Sequence, residues 1–132
     1  MSRHRLYRQE RLKKETVIRR MFNREGETLA AFPLRLIWIP IKEDVPFPVQ
    51  FTLSVPKRNF KKAVDRNRIR RQVREAYRTN KSNLYQRLDG VSTQFALMVL
   101  FTGREAVPYE LIERKMVYLL KRFADKVRKP GD

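Results

Sequence analysis

Cysteine is missing altogether from this 132-residue chain, and histidine occurs once, as His4. Without thiols there is no disulfide framework, thiolate zinc site, iron–sulfur cluster or cysteine nucleophile. A lone imidazole excludes a His–His metal pair and leaves a serine triad without the positioned base it requires; His4 itself reads as a terminal residue with no role. Long apolar runs are also lacking. The longest, Leu36 to Ile41 and Phe95 to Phe101, fall far short of the roughly 18 to 20 residues that span a bilayer. The cations Arg3, Arg5, Arg8, Arg11, Lys13 and Lys14 are not followed by the apolar stretch of a secretory signal, and Glu10, Glu15 and the want of a serine-rich stretch speak against a mitochondrial presequence. The expectation is a cytoplasmic protein with no membrane partner and no dinucleotide ligand. Acidic residues are scarce as well: 14 Asp and Glu stand against 31 Lys and Arg, a net charge of +17.

Hydrophobic residues, at 42%, are ordinary for a globular chain. A chain of this length buries roughly 68% of its unfolded surface. One core is expected, with residues 1–10 set apart as a flexible basic N-terminus and residues 11–129 forming a single domain. Thr16 is placed to cap a short amphipathic helix carrying Val17, Ile18, Met21 and Phe22, which Gly26 ends at or just after Arg24. Leu34 to Ile39 alternates, with Leu34, Leu36 and Trp38 on one face, and reads as a strand that Pro40 stops. Val49 to Val55 alternates again, up to Pro56. Between about Lys62 and Leu88 there is neither Gly nor Pro, and Ile69, Val73, Ala76, Tyr77, Leu84 and Leu88 keep close to a 3.6 period, as in a long helix. Asp89-Gly90 ends it, and Gln94 to Phe101 reads as a strand covered on both faces. Pro108 then opens a last helix with one stripe of Ile112, Met116, Leu119, Leu120, Phe123 and Val127. The order of helix, two or three strands, helix, strand, helix belongs to an α+β or small α/β layer fold.

The positive charge is unevenly spread. Residues 1 to 24 hold nine of the 31 cations, residues 57 to 87 hold twelve, and residues 114 to 129 hold seven. The densest stretch contains Lys57, Arg58, Lys61, Lys62, Arg66, Arg68, Arg70, Arg71, Arg74 and Arg78, offset only by Asp65 and Glu75. On a helix Arg66, Arg70, Arg74 and Arg78 recur every four residues and form one ridge, with Asn67 and Arg71 beside it. Like charges at this spacing repel by a few tenths of a kcal/mol per pair, a cost outweighed when a polyanion meets the ridge and sheds its condensed counterions. Arginine, which forks onto phosphates and stacks on bases, predominates over lysine. Phe22, Trp38, Phe51 and Tyr77 are interleaved with this charge and are candidates to stack on unpaired bases, although aromatics at strand or helix spacing more often pack the core; the pattern favours RNA over duplex DNA.

The segment from Lys57 to Arg74, KRNFKKAVDRNRIRRQVR, resembles the signature of the protein subunit of bacterial ribonuclease P. Leu53-Ser54-Val55 precedes it as that family's strand, Arg66-Asn67-Arg68 is the family's Arg-Asn-Arg core, and Arg71 and Arg74 follow in step. Upstream, Arg11-Leu12-Lys13-Lys14 with Phe22 and Gly26 is similar to the family's N-terminal pattern, so the resemblance spans about residues 10 to 128. It implies an α+β fold, an α-β-β-β-α-β-α sandwich related to the second domain of ribosomal protein S5, with a left-handed βαβ crossover; chain reading alone would choose the right-handed one. It also implies a non-catalytic protein that assembles with ribonuclease P RNA, whose Mg²⁺ ions act through the RNA subunit to remove the 5′ leader of precursor tRNA. Lys57, Arg58, Lys61, Lys62, Arg66, Asn67, Arg68, Arg70, Arg71 and Arg74 are then the RNA-binding residues, and Ile18, Phe22 and Trp38 the leader-cleft residues. No catalytic residue and no protein-held metal are expected. Two departures stand out: Ile18 replaces an aromatic common in the family, a gap that Trp38 is a candidate to fill, and the turn from Arg58 to Lys62 is one residue longer and lacks the family's Gly.

Other readings use the same residues differently. A ribosomal or general RNA chaperone protein needs the same basic surface without a leader preference. A metal-dependent nuclease acting alone needs paired carboxylates, and Glu43-Asp44, Asp65 and Glu75 show no such spacing on one element. A membrane-surface role conflicts with the need for the helices' apolar stripes in the core. Asp65 reads as charge balance at the start of its helix, with an Mg²⁺ bridge to RNA phosphates as the alternative.

Overall fold

The computed structural model describes residues 5–23 and 25–128. His4, Arg3, Arg24 and Lys129 lie outside the described residues. Three helices and four strands follow the chain as α1 (Glu15–Phe22), β1 (Glu27–Ala31), β2 (Leu34–Ile41), β3 (Val49–Ser54), α2 (Ala63–Arg87), β4 (Gln94–Phe101) and α3 (Tyr109–Val127), the expected α-β-β-β-α-β-α order. They form one four-stranded sheet in the order β1-β2-β4-β3. β1 and β2 are an antiparallel hairpin, β2 and β4 pair antiparallel, and β3 runs parallel to β4 with α2 as the connection.

The pleat decides the layers, because alternate side chains leave opposite faces of a strand. Leu34, Leu36 and Trp38 of β2, Val49 and Phe51 of β3, and Phe95, Leu97, Val99 and Phe101 of β4 pack against α2 and α3 in the main core. Trp38 meets Phe123 edge to face at 5.0 Å between ring centroids. On the opposite face Ile37, Ile39, Ala96 and Met98 meet Leu12, and Val17 and Met21 of α1. One short helix covers only the β2–β4 half of that face. The residues of β3 directed there are Gln50, Thr52 and Ser54, and they stay half-buried.

Four local expectations need correction. Lys14, not Thr16, is the N-cap of α1; its side chain is held by Glu43 at 2.7 Å and its carbonyl accepts from the Ile18 N–H, so the helix starts two residues early. That helix ends at Phe22, and Gly26 serves the next element: a Cβ there would come within 2.7 Å of the Trp38 carbonyl oxygen. Pro40 does not stop β2, which continues to Ile41 opposite Gln94. β1 pairs with β2 only as far as Trp38, so at Pro40 the strand has one neighbour and a missing N–H is tolerated there. Of the segment 1–10 read as flexible, residues 5–10 are anchored by two buried side chains, Leu6 and Glu10, and a short turn forms over Arg8–Glu10.

Candidate nucleic-acid interface

The turn 55–62 carries the chain from β3 into α2 and sets Lys57, Arg58, Lys61 and Lys62 in solvent around the start of the helix. Phe60 anchors it from below, buried against Phe101. Arg66 reaches back from α2 and donates from Nη1 to the Phe60 and Lys61 carbonyls at 2.7 and 3.1 Å, so it is half-buried and shapes the turn while adding to its charge. Ile69 and Val73 take the buried face of α2, which leaves Asn67, Arg68, Arg70, Arg71 and Arg74 exposed. Lys57, Arg58, Lys61, Lys62, Arg68, Arg70, Arg71 and Arg74 form no ion pair with a carboxylate among the described residues. Farther along, Arg78 is held by Glu75 at 2.5 Å, and that hydrogen bond draws the Glu75 carboxyl below its usual range. The start of α2 already carries the positive end of the helix dipole. Asp65 is the acid in its first turn, so cations accumulate where the backbone already disfavours them.

The N-terminal strap adds to this surface. Leu12 donates its N–H to the Phe51 carbonyl at 2.8 Å, and Arg11 bridges Phe51 in parallel, which covers the open edge of β3. Gln50 secures the strap from the side by donating to the Gln9 carbonyl. The strap is fixed at depth by Glu10, fully buried, whose carboxylate meets Lys81 Nζ at 2.6 Å and accepts hydrogen bonds from the Tyr7 N–H and the Tyr85 hydroxyl. Lys81, 3% exposed, also donates to the Arg5 carbonyl. Burial, then the neighbouring Tyr77 and Glu10, pushes the Tyr85 phenol far above its ordinary value, so it stays a neutral donor. Removing one partner from such a buried pair strands the other's charge, at about 3–5 kcal/mol.

Between the strap and α2 runs a groove lined by Arg5, Arg8, Arg11, Lys13, Arg74 and Arg78. It continues past Leu6 and Arg11 into a hollow over Thr52 of β3, with Arg70 on its wall. Partial burial, then Arg11 and Arg70, lowers the Arg74 guanidinium from its usual value. A separate hollow at the other end of β3 is lined by Phe22, Arg35, Ser54, Arg58, Asn59 and Arg104.

The structure therefore brings the cations of the turn and α2 together and adds others that sequence reasoning left out: Arg5, Arg8, Arg11, Lys13, Arg35 and Arg104. The nine cations in residues 1 to 24 were the signal for the first four, but no periodic element was available to place them. Of the residues expected in a leader cleft, Phe22 is 53% exposed and faces its hollow, and Ile18 is half-buried against the α1 side of the sheet. Trp38 is corrected: it is 2% exposed inside the main core, because it shares a pleat face with Leu34 and Leu36. Phe51 and Tyr77 are likewise core, stacked on each other with centroids 3.9 Å apart. Among the described residues no three His, Asp or Glu side chains gather into a metal-binding group, and no helix is long and apolar enough to cross a membrane.

The family model described as Ribonuclease P matches residues 6–124. The chain is 33% identical over 103 residues to the ribonuclease P protein component of Porphyromonas gingivalis strain ATCC 33277, covering 78% of this chain and 75% of the relative. It is 32% identical over 127 residues to that of Chlorobium phaeobacteroides, covering 87% and 85%. Among solved structures, the Staphylococcus aureus RNase P protein superposes with a TM-score of 0.67 at 22% identity, covering 86% of this chain and 94% of that one. The Thermotoga maritima RNase P protein gives 0.65 at 24%, covering 85% and 96%. At these identities the structural likeness is one of fold.

Proposed function

The chain belongs to the ribonuclease P protein family, and from that premise we propose that it works as the RNA-binding cofactor of a catalytic RNA in removing the 5′ leader of precursor tRNA. The observation that carries this reading is a continuous cationic surface, unneutralised by the protein's own described carboxylates, next to one exposed aromatic ring. Lys57, Arg58, Lys61, Lys62, Arg68, Arg70, Arg71 and Arg74 have guanidinium and ammonium groups in solvent, suited to RNA phosphates. Asn67 lies among them as a neutral donor and acceptor, and Arg66 contributes charge from its place against the turn.

In this reading the ribonuclease P RNA docks on the turn and α2, and the leader, a single strand, lies along the uncovered β3 side of the sheet. Gln50, Thr52 and Ser54 provide a polar floor, and Phe22, flanked by Arg35, Arg58 and Arg104, provides a face on which one base stacks. Catalysis falls to the RNA and its Mg²⁺. The protein's part is to raise the local concentration of substrate and to neutralise phosphates that otherwise demand more Mg²⁺.

The test is cleavage of a precursor tRNA at low Mg²⁺ by a bacterial ribonuclease P RNA with and without the protein, beside a protein-only control. Stimulation only when both are present is the expected result. Cleavage by the protein alone would restore the nuclease reading, and RNA binding without stimulation, equal for leaderless tRNA, would indicate a general RNA chaperone.

A further inference from the structure

The groove between the strap and α2 is lined from two separate parts of the chain, and only one of them is rigid by itself. Arg70 and Arg74 ride on a 25-residue helix. Arg5, Arg8, Arg11 and Lys13 ride on a segment whose only regular structure is a three-residue turn and one bridge to β3. Like charges facing each other across a groove push such a segment away, and Arg11 lines the same groove as Arg70 and Arg74. The Leu12–Phe51 and Gln50–Gln9 hydrogen bonds tie the strap to β3, and the Glu10 carboxylate ties it to α2.

Glu10 lies between the groove cations Arg8 and Arg11 in sequence, yet its side chain points away from them into the interior. It engages Lys81 at 2.6 Å, about two turns beyond Arg74 on the same helix, together with the Tyr85 hydroxyl and the Tyr7 N–H. Lys81 in turn donates to the Arg5 carbonyl at the far end of the strap. Tyr7 packs on Phe47, with centroids 5.9 Å apart, so the segment 5–10 is tied at both ends and in the middle. None of these groups lines the groove with charge of its own; each fixes the backbone from which Arg8, Arg11 and Lys13 project.

We propose that the buried Glu10–Lys81 pair, with Tyr85, is a positioning device that holds Arg5, Arg8, Arg11 and Lys13 opposite Arg70 and Arg74 and so completes a second phosphate-binding groove for an RNA backbone. This rests on the RNA-binding reading above and extends it from the turn and α2 to the strap. The groove is distinct from the hollow at Phe22: it lies at the strap end of β3, and the two rings that line it are already engaged, half-buried Tyr7 on Phe47 and buried Phe51 on Tyr77. Its ligand is therefore the phosphate chain of RNA rather than its bases, drawn from the ribonuclease P RNA or from the precursor tRNA.

The test is the salt dependence of binding to each RNA separately, for the whole protein and for Glu10→Ala. Each phosphate contact contributes about 0.7 to 0.9 to the slope of log K against log salt, so release of the four strap cations makes the slope shallower by roughly 3 to 4 units on whichever RNA occupies the groove. Amide exchange at residues 5–13 should quicken in the same variant. The readout that separates positioning from mere structural support is the combination with Arg11→Ala and Lys13→Ala. In that background Glu10→Ala should lower the slope by no more than the roughly two units left to Arg5 and Arg8. A folded Glu10→Ala protein with the parental slope on both RNAs would overturn the proposal, as would an equal drop in both backgrounds. Should Glu10→Ala fail to fold because Lys81 is stranded, the paired Glu10→Ala/Lys81→Met protein removes both charges and is read in the same way. A parental protein with no steep slope on either RNA would instead defeat the RNA-binding reading itself, so the two failures are distinguishable.

Discussion

Phe22 and Trp38 are both aromatic, sixteen positions apart, and the structure assigns them opposite tasks. Phe22 ends α1 at 53% exposure with arginines around it, a position that favours contact with something other than the protein. Trp38 is 2% exposed and wedged against Phe123. Phe22→Ala is expected to change stability by no more than about 0.5 kcal/mol, as at other exposed sites. It should weaken binding of a leader-bearing precursor tRNA by about 1–3 kcal/mol, the worth of one base stacked on an aromatic ring, and leave binding of leaderless tRNA unchanged. Trp38→Ala should reverse the pattern, with about 3–5 kcal/mol lost in denaturant unfolding and no leader-specific effect. Equal loss of leader and leaderless binding in folded Phe22→Ala would remove Phe22 from the cleft. The resemblance placed Phe22 in the leader cleft and offered Trp38 for the aromatic that Ile18 replaces; only the pleat, which puts Trp38 with Leu34 and Leu36, separates them.

Among the elements, the hairpin of β1 and β2 shows where the chain's pattern is weakest and its backbone constraint strongest. β1 has no buried residue, only the half-buried Leu29 and Ala31, because it is an edge strand resting lightly on α3. Its five residues therefore carry no alternation that marks a strand, whereas β2, β3 and β4 announce themselves through Leu36, Phe51 and Leu97 and their alternating or continuous apolar runs. What fixes β1 is Gly26 just before it, where the backbone passes so near the Trp38 carbonyl that a Cβ would lie 2.7 Å away. Gly26→Ala must push the strand off its partner, and overpacking of this kind costs about 1–3 kcal/mol. Thermal unfolding should detect the loss, with α2 and α3 helicity retained below the transition. An alanine variant as stable as the parent would show that β1 can shift without penalty. The strap is the other element hidden in the sequence. Its anchors, Glu10 and Lys81, are 71 residues apart, and in a chain so rich in cations a single glutamate and a single lysine read as surface charge until the fold brings them together.

For the molecule as a whole, the question is whether +17 charges are held together or held apart by their surroundings. The attractive pairs among the described residues, Lys14–Glu43, Arg20–Glu25 and Arg78–Glu75, are exposed or partly so, and such pairs contribute about 0–1 kcal/mol each and fade as salt screens them. Lys81–Glu10 is buried and little affected by screening. Opposing these few contacts is the mutual repulsion of all the excess cations in a body with a radius of gyration of about 14 Å. At 0.01 M salt the Debye length is about 30 Å and every cation senses the rest; at 0.15 M it is about 8 Å and only neighbours such as Arg11, Arg70 and Arg74 still interact. Repulsion should therefore be relieved by more than attraction is lost. The free protein's Tm is expected to rise between 0.01 and 0.15 M sodium chloride, each 1 kcal/mol appearing as roughly 4 °C for a chain of this size. A Tm that falls with salt would mean that the scattered ion pairs outweigh the net charge. On the RNA-binding reading proposed above, the same reasoning predicts that RNA stabilises the fold, since it supplies phosphates at the places where the cations crowd. At an RNA concentration 100 times its Kd, binding to the folded state alone adds about 2.7 kcal/mol, and that gain should shrink steeply as salt replaces the RNA as counterion.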